Sequence, residues 1–283
     1  MDGYVHPDSL VTTEWLDRHL AEPDVKVIDA RFSGLQALRD EYEAGHILGA
    51  AFVDYAAELL SQSPAGVVSA DRGEAVMRRL GVSTSSTVIV YDQSFGAWAA
   101  YVWWVLRYLG HDDVRLLDGG WDKWFAEGRR TESGVPAIEP GDFTAQPREA
   151  LRARADEVRA ALDSPDVVIV DALPGKIYRG EAPMFPAHRM GHIPGAKNIS
   201  APSNINRTTN VLLPFEQLSQ VWSRLELTPS TKVITYCGAG PYGAFDLFAL
   251  HLLGHENAVL YDGCWFEWGA RDDLPIEVGP EPS

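Results

Sequence analysis

Apolar positions along this chain fall into two alternating patterns. Four short unbroken runs, "VKVIDA" (25–30), "TVIVYD" (87–92), "VVIVDA" (167–172) and "KVITYC" (232–237), are rich in Val and Ile. Apolar runs of this length, without alternation, are what strands buried on both faces look like. Between them the spacing turns helical. "EAVMRRLGV" (74–82) and "FEQLSQVWSRLEL" (215–227) carry one apolar stripe each, and "AAYVWWVLRYLG" (99–110) and "GAFDLFALHLLG" (243–254) read as helices that stop at a glycine. Strands alternating with helices predict an α/β fold with a mostly parallel sheet and helices on both faces.

The same pattern occurs twice. "EWLDRHLAEPDVKVIDA" (14–30) matches "DEVRAALDSPDVVIVDA" (156–172), an offset of 142. "GHILGA" from Gly45 matches "GHIPGA" from Gly191 at 146, and "STVIVYD" ending at Asp92 matches "TKVITYC" ending at Cys237 at 145. "LGHDDVRLLDGGWDKW" from Leu109 matches "LGHENAVLYDGCWFEW" from Leu253 at 144. Four blocks in one order at near-constant spacing make the chain two copies of one domain. The boundaries are placed at 1–133 and 151–283, each the size of a single-core unit. The Pro- and Gly-rich stretch around 134–150 is read as the linker.

Composition narrows the class. With 283 residues, 46% of them hydrophobic, the chain can bury a sizeable core. A formal net charge of −16 argues against nucleic acid, which requires a basic face. The first residues, "MDGYVHPDSLVTTEWL", lack the basic-then-apolar order of a secretory signal, and no apolar run is long enough to span a membrane. Two cysteines make no disulfide framework and suit a reducing, cytoplasmic setting.

Chemistry concentrates at "TYCGAGPYGAF" (235–245), where Cys237 ends a strand and a helix begins just beyond. That edge of an open α/β sheet is where ligands bind. Loop amides and the helix N-terminus there favour a thiolate over a thiol. Gly238, Gly240 and Gly243 let the chain curl around one atom. A buried, inert cysteine at a tight turn is the competing reading. The first copy has Asp92 at this position and "QSFGAWAA" for the loop, so the scaffold does not demand the glycines.

These blocks together resemble the two-domain rhodanese family of thiosulfate and 3-mercaptopyruvate sulfurtransferases, from about Ser9 to about Asp273. The resemblance implies tandem rhodanese-like domains, a non-catalytic first half and a catalytic second half. It further implies that Cys237 takes a sulfane sulfur from a small donor, becomes a persulfide, and passes the sulfur to a thiophilic acceptor such as cyanide or a thiol. Ping-pong kinetics follow from two half-reactions on one nucleophile. The loop Gly238, Ala239, Gly240, Tyr242 and Gly243 would surround the sulfur and stabilise its charge. Neither cofactor nor metal is implied, and a thiol carrier protein is a possible partner.

The sequence departs from the family pattern at several points. Tyr242 replaces a small hydroxyl residue, and Pro241 removes one N–H donor. Gly238-Ala239 carries no cation for a dianionic donor. Where the mercaptopyruvate branch holds a carboxylate with arginines, this chain has Ile177 and Phe185. Arg179, His188 and Arg189 are the candidates to take that role, against a reading as solvated loop charges. Cys264 is read as a small buried residue or as a partner able to resolve an oxidised Cys237. His46 and His192 repeat and are read as structural. Asp118 and Asp262 are expected to fix the repeated turn, and Asp246 to sit in the first helical turn facing away from Cys237. A cysteine phosphatase is excluded, because the position of its required arginine is Gly243. A specialised sulfur relay to a protein and a non-catalytic binding scaffold remain alternatives.

Overall fold

The Val- and Ile-rich runs become the centres of two parallel sheets. In the computed structural model, which describes residues 3–33, 36–62, 65–186 and 188–280, the first half contributes β1 (Leu10–Val11), β2 (Val25–Asp29), β3 (Ala51–Phe52), β4 (Thr87–Tyr91) and β5 (Val114–Leu117). The second contributes β6 (Arg152–Ala153), β7 (Val167–Asp171), β8 (Lys197–Asn198), β9 (Lys232–Tyr236) and β10 (Ala258–Tyr261). The strand orders are β1-β5-β4-β2-β3 and β6-β10-β9-β7-β8, every pairing parallel. The two registers correspond: Val25 pairs with Thr87 and Val167 with Lys232.

Helices cover both faces of each sheet. They are α1 (Thr13–His19), α2 (Arg39–Ala44), α3 (Ala70–Arg79), α4 (Ala97–Tyr108) and α5 (Gly120–Ala126) in the first domain. The second has α6 (Ala155–Ala161), α7 (Gly175–Tyr178), α8 (Phe215–Ser223), α9 (Pro241–Leu252) and α10 (Cys264–Trp268). The central pair, α4 and α9, ends as the sequence indicates, with Gly110 and Gly254 in the left-handed region at φ +99° and +80°.

α4 and α9 are apolar nearly all round because they have no solvent face. They pack against each other between the two sheets, and Trp103 meets Phe248 edge-on with ring centroids 5.0 Å apart. One continuous hydrophobic core therefore runs through both domains. The linker follows the first domain without regular structure. Its amides at Gly141, Phe143, Gln146 and Arg148 donate to Arg78, Val82, Leu109 and Tyr108, and Phe143 is buried.

The repeated turns behave differently from expectation. Asp118 and Asp262 do not close their own turns but reach into the opposite domain. Asp118 Oδ1 accepts from the Leu212 amide at 2.9 Å, and Asp262 Oδ2 from the Val67 amide at 2.7 Å. Only the second forms an ion pair, with Arg152 at 2.8 Å. Burial, opposed by the Leu212 amide and the charge of Lys123, pushes Asp118 up to about 6. His46 and His192 match the sequence reading: each is fully buried, stacked on Tyr42 or Tyr178, with Nδ1 2.8 Å from that tyrosine's carbonyl oxygen.

Candidate active site

Strand β9 runs apolar and buried to Tyr236, and the next residue leaves the sheet at its carboxyl edge. Cys237 lies there, directly before α9. The Gly240 amide donates to Cys237 Sγ at 3.2 Å. Gly240 stands at φ +118°, and any side chain on it would strike the Tyr101 ring at 2.4 Å. At Gly238 a Cβ would meet Met184 Cε at 2.4 Å, so a side chain there requires the end of that methionine to move. Pro241 opens α9, a position where a missing N–H costs nothing. Only 2% of Cys237 is exposed, so a reagent can reach it from one side only.

The environment favours the charged sulfur. Burial opposes ionisation of Cys237, but the Cys264 thiol and the amides of Gly243, Gly240 and Ala239 outweigh it and hold its thiol below the ordinary value. The N-terminus of α9 adds its partial positive charge. Cys264 moves the other way: burial, and then Cys237, push its thiol well up, so it keeps its proton. The Cys264 sulfur lies 3.3 Å from the Cys237 amide and 3.1 Å from the Tyr261 carbonyl oxygen. It stands in the left-handed region at φ +53°, where the first copy has Gly120 at +52°. Aligning "DGGW" with "DGCW" gave the position, while the contact with Cys237 comes from two loops meeting at one sheet edge.

Asp246 corrects its expected placement. It lies beyond the first turn of α9, is fully buried, and its Oδ1 accepts from Asn204 Nδ2 at 2.7 Å. Burial pushes its carboxyl well up, and Cys237 adds to the shift. The upward shift disfavours a second negative charge beside Cys237.

Above the sulfur lies a cavity of about 360 Å³. Its floor is Cys237, Gly238, Ala239, Pro241 and Tyr242; one wall is Leu173, Pro174, Ile177, Met184 and Phe185. The opposite wall, Phe32, Tyr55 and Trp98, comes from the first domain. Sequence reasoning missed that wall, since nothing in a local pattern says which residue will face a loop about 140 to 205 positions away. Tyr242 ties the floor to the first-domain wall, with its ring centroid 5.3 Å from Phe95 and 6.2 Å from Trp98.

The three basic candidates are not brought to this cavity. Arg179 is paired with Glu181 at 2.6 Å. Arg189 binds the carbonyl oxygens of Trp268, Gly269, Arg271 and Leu274, so it caps the end of α10. His188 Nε2 lies 3.0 Å from the Phe266 carbonyl oxygen. Ile177 and Phe185, by contrast, do line the cavity.

Among the described residues, one group places three ligand-type atoms within 4.8 Å: His6, His251 and Glu256. It is not built for a metal. Ser9 Oγ lies 2.9 Å from His251 Nε2 and the Arg107 guanidinium 3.3 Å from Nδ1, so both ring nitrogens are occupied and a fixed cation stands beside them. Burial, then Arg107 and His6, hold His251 down at about 3.

The comparisons with known proteins agree with the tandem fold. A family model for the rhodanese-like domain matches twice, over residues 12–127 and 154–271. The chain belongs to the rhodanese family of sulfurtransferases. It is 34% identical to the sulfur carrier protein TtuD of Thermus thermophilus over 99% of this chain and 100% of that one. It is 32% identical to a thiosulfate sulfurtransferase of Corynebacterium glutamicum, covering 98% of this chain and 93% of the relative. SseA of Escherichia coli, described as a 3-mercaptopyruvate sulfotransferase with the rhodanese fold, superposes with a TM-score of 0.82 at 30% identity, over 91% of this chain and 98% of its own. Each half of this rhodanese carries the family sheet, and only the second ends its fourth central strand in cysteine.

Proposed function

We propose that this rhodanese transfers sulfane sulfur through a persulfide on Cys237. The observation that carries the reading is the position of Cys237 Sγ inside an amide cradle at the floor of the interdomain cavity. In the first half-reaction the thiolate attacks the outer sulfur of a donor. An S–S bond forms at Cys237, and the donor's bond to that sulfur breaks with its electron pair on the leaving group, sulfite from thiosulfate or the pyruvate carbanion equivalent from 3-mercaptopyruvate, which takes up a proton. In the second, an acceptor attacks the outer sulfur and the pair returns to Cys237. Ala239, Gly240 and Gly243 stabilise the negative charge at each stage. Burial pushes both the Asp246 carboxyl and the Cys264 thiol well up, which disfavours a competing anion beside the sulfur.

A carrier protein's thiol is a second class of acceptor, favoured by the full-length similarity to TtuD. We place the protein in the cytoplasm, where its two free, buried thiols remain reduced. The test is Cys237→Ser assayed for sulfur transfer from thiosulfate and from 3-mercaptopyruvate to cyanide. Loss of turnover with unchanged circular dichroism is expected; full activity would overturn the reading.

A further inference from the structure

The cavity above Cys237 has no charged wall. Among the described residues, none of those lining it is Asp, Glu, Lys, Arg or His. The repeat shows what was given up to make it so. In the first domain, Arg31 follows the strand-end Asp29 by two residues and pairs with it at 2.9 Å, both groups buried. The second domain keeps the aspartate, Asp171, but has Leu173 at the matching place, and Leu173 lines the cavity. Asp171 is left with the Leu173 amide at 2.8 Å and the Tyr236 hydroxyl, and no cation. Removing one partner of a buried ion pair is unfavourable, so stability does not account for the exchange. An apolar substrate wall does.

Resting on the reading of Cys237 as the sulfur carrier, we propose that the acceptor is a small molecule with an aromatic or comparably apolar body and no charge beyond its reacting sulfur. Its body lies between Trp98 and Phe32 on one side and Ile177 on the other. An acceptor with an anionic body would lose its water here without gaining a cation and would face ring surfaces of negative potential, costs that a small anionic donor also meets and that only the cradle amides at the sulfur offset. An apolar body gains from burial against the same walls. In the step itself the acceptor thiol releases its proton to water and its sulfur bonds to the outer sulfur of the persulfide. The Sγ–S bond breaks with its pair on Cys237, and the product is the acceptor's persulfide.

The experiment loads the enzyme with inorganic polysulfide and confirms one added sulfur on Cys237 by intact mass. It then follows single-turnover loss of that sulfur to benzyl mercaptan and to 3-mercaptopropionate. Benzyl mercaptan is expected to be the better acceptor in kcat/KM by about tenfold or more, the discrimination that a few apolar contacts supply. Ile177→Arg, which sets a cation in the wall, should cut that ratio by about fivefold or more through faster transfer to 3-mercaptopropionate. Equal or faster transfer to 3-mercaptopropionate in the wild type would overturn the proposal while leaving the persulfide reading intact. Failure to load Cys237 at all would remove both. The wild-type ratio decides the matter if Ile177→Arg does not fold.

Discussion

The loops after β4 and β9 are one amide cradle closed on two different acceptors, a carboxyl that burial pushes up against the pull of the amides and a thiol held below its ordinary value. In the first domain the Asp92 carboxyl fills the cradle, accepting from the amides of Ser94 and Gly96 at one oxygen and of Trp98 and Ala99 at the other, at 2.8–3.2 Å. In the second, the Cys237 sulfur takes its place. The two next turns also correspond: the Trp121 amide donates to the Asp92 carbonyl oxygen, and the Trp265 amide to that of Cys237, both at 2.8 Å. The cradle is therefore an acceptor site built into the domain. A carboxyl satisfies it permanently and makes that half a scaffold, whereas a thiolate satisfies it and remains able to react. The first half is not idle, because it supplies Phe32, Tyr55 and Trp98 to the cavity of the second.

Cys237→Asp breaks this comparison most severely, since it turns the second loop into the first. The variant should fold with its cradle filled, and sulfur transfer should fall by about a thousandfold or more, the scale seen when a covalent nucleophile is lost. A cyanide-coupled assay beside a thermal melt checks both halves of that statement.

Asp92→Ala addresses the other half. It leaves four inward-facing amides without their acceptor, and a buried unsatisfied donor costs about 1–3 kcal/mol. A loss of about 3 kcal/mol or more by denaturant unfolding is expected, with the persulfide chemistry of Cys237 retained in the folded fraction. A melt unchanged from wild type would show that the cradle needs no acceptor.

Asp171→Asn probes the missing cation. Burial raises Asp171 from 3.8 to about 7, against the opposing pull of Tyr236 and the Leu173 amide. Between those two values the folded protein holds a proton that the unfolded chain has released. Stability from this group therefore falls as pH rises from about 4 to about 7 and is level above. Asn removes the dependence, so its stability relative to wild type should grow from pH 5 to pH 8. Melting temperatures at the two pH values give the answer, and a constant difference would contradict it.

The smallest effect is expected at Cys264. Its thiol helps to hold Cys237 ionised, so Cys264→Ser should move the pH midpoint of Cys237 alkylation by less than about one unit. Steady-state turnover in reducing buffer should change little. A severe loss would give Cys264 a part in the chemistry.

Much of this was legible in the residues, for reasons that separate it from what was not. The strands could be read because "VKVIDA" and "VVIVDA" are local patterns with one physical meaning, and the tandem organisation because the pattern repeats. The Cys237 loop stood out because its glycines differ from "QSFGAWAA" on the same scaffold. The destinations of Asp118 and Asp262 were not legible, since both leave their own turn to bind an amide in the other domain. Arg189 looked like a loop charge and proved to cap α10 by reaching some 80 residues along the chain. Asp246 reads as a first-turn acid facing away from Cys237, yet it lies further into α9, buried and bound by Asn204. One signal went unused: the all-round apolar faces of "AAYVWWVLRYLG" and "GAFDLFALHLLG" already required that each helix be covered, and each covers the other.

The central claim is that the second cradle holds a sulfur able to carry another. Intact-protein mass spectrometry with peptide mapping, after separate exposure to thiosulfate and to 3-mercaptopyruvate, tests it most directly. The account predicts a gain of about one sulfur mass on the peptide containing Cys237, removed by cyanide or a thiol. Absence of that gain with both donors, in protein whose Cys237 still reacts with an alkylating agent, would contradict it.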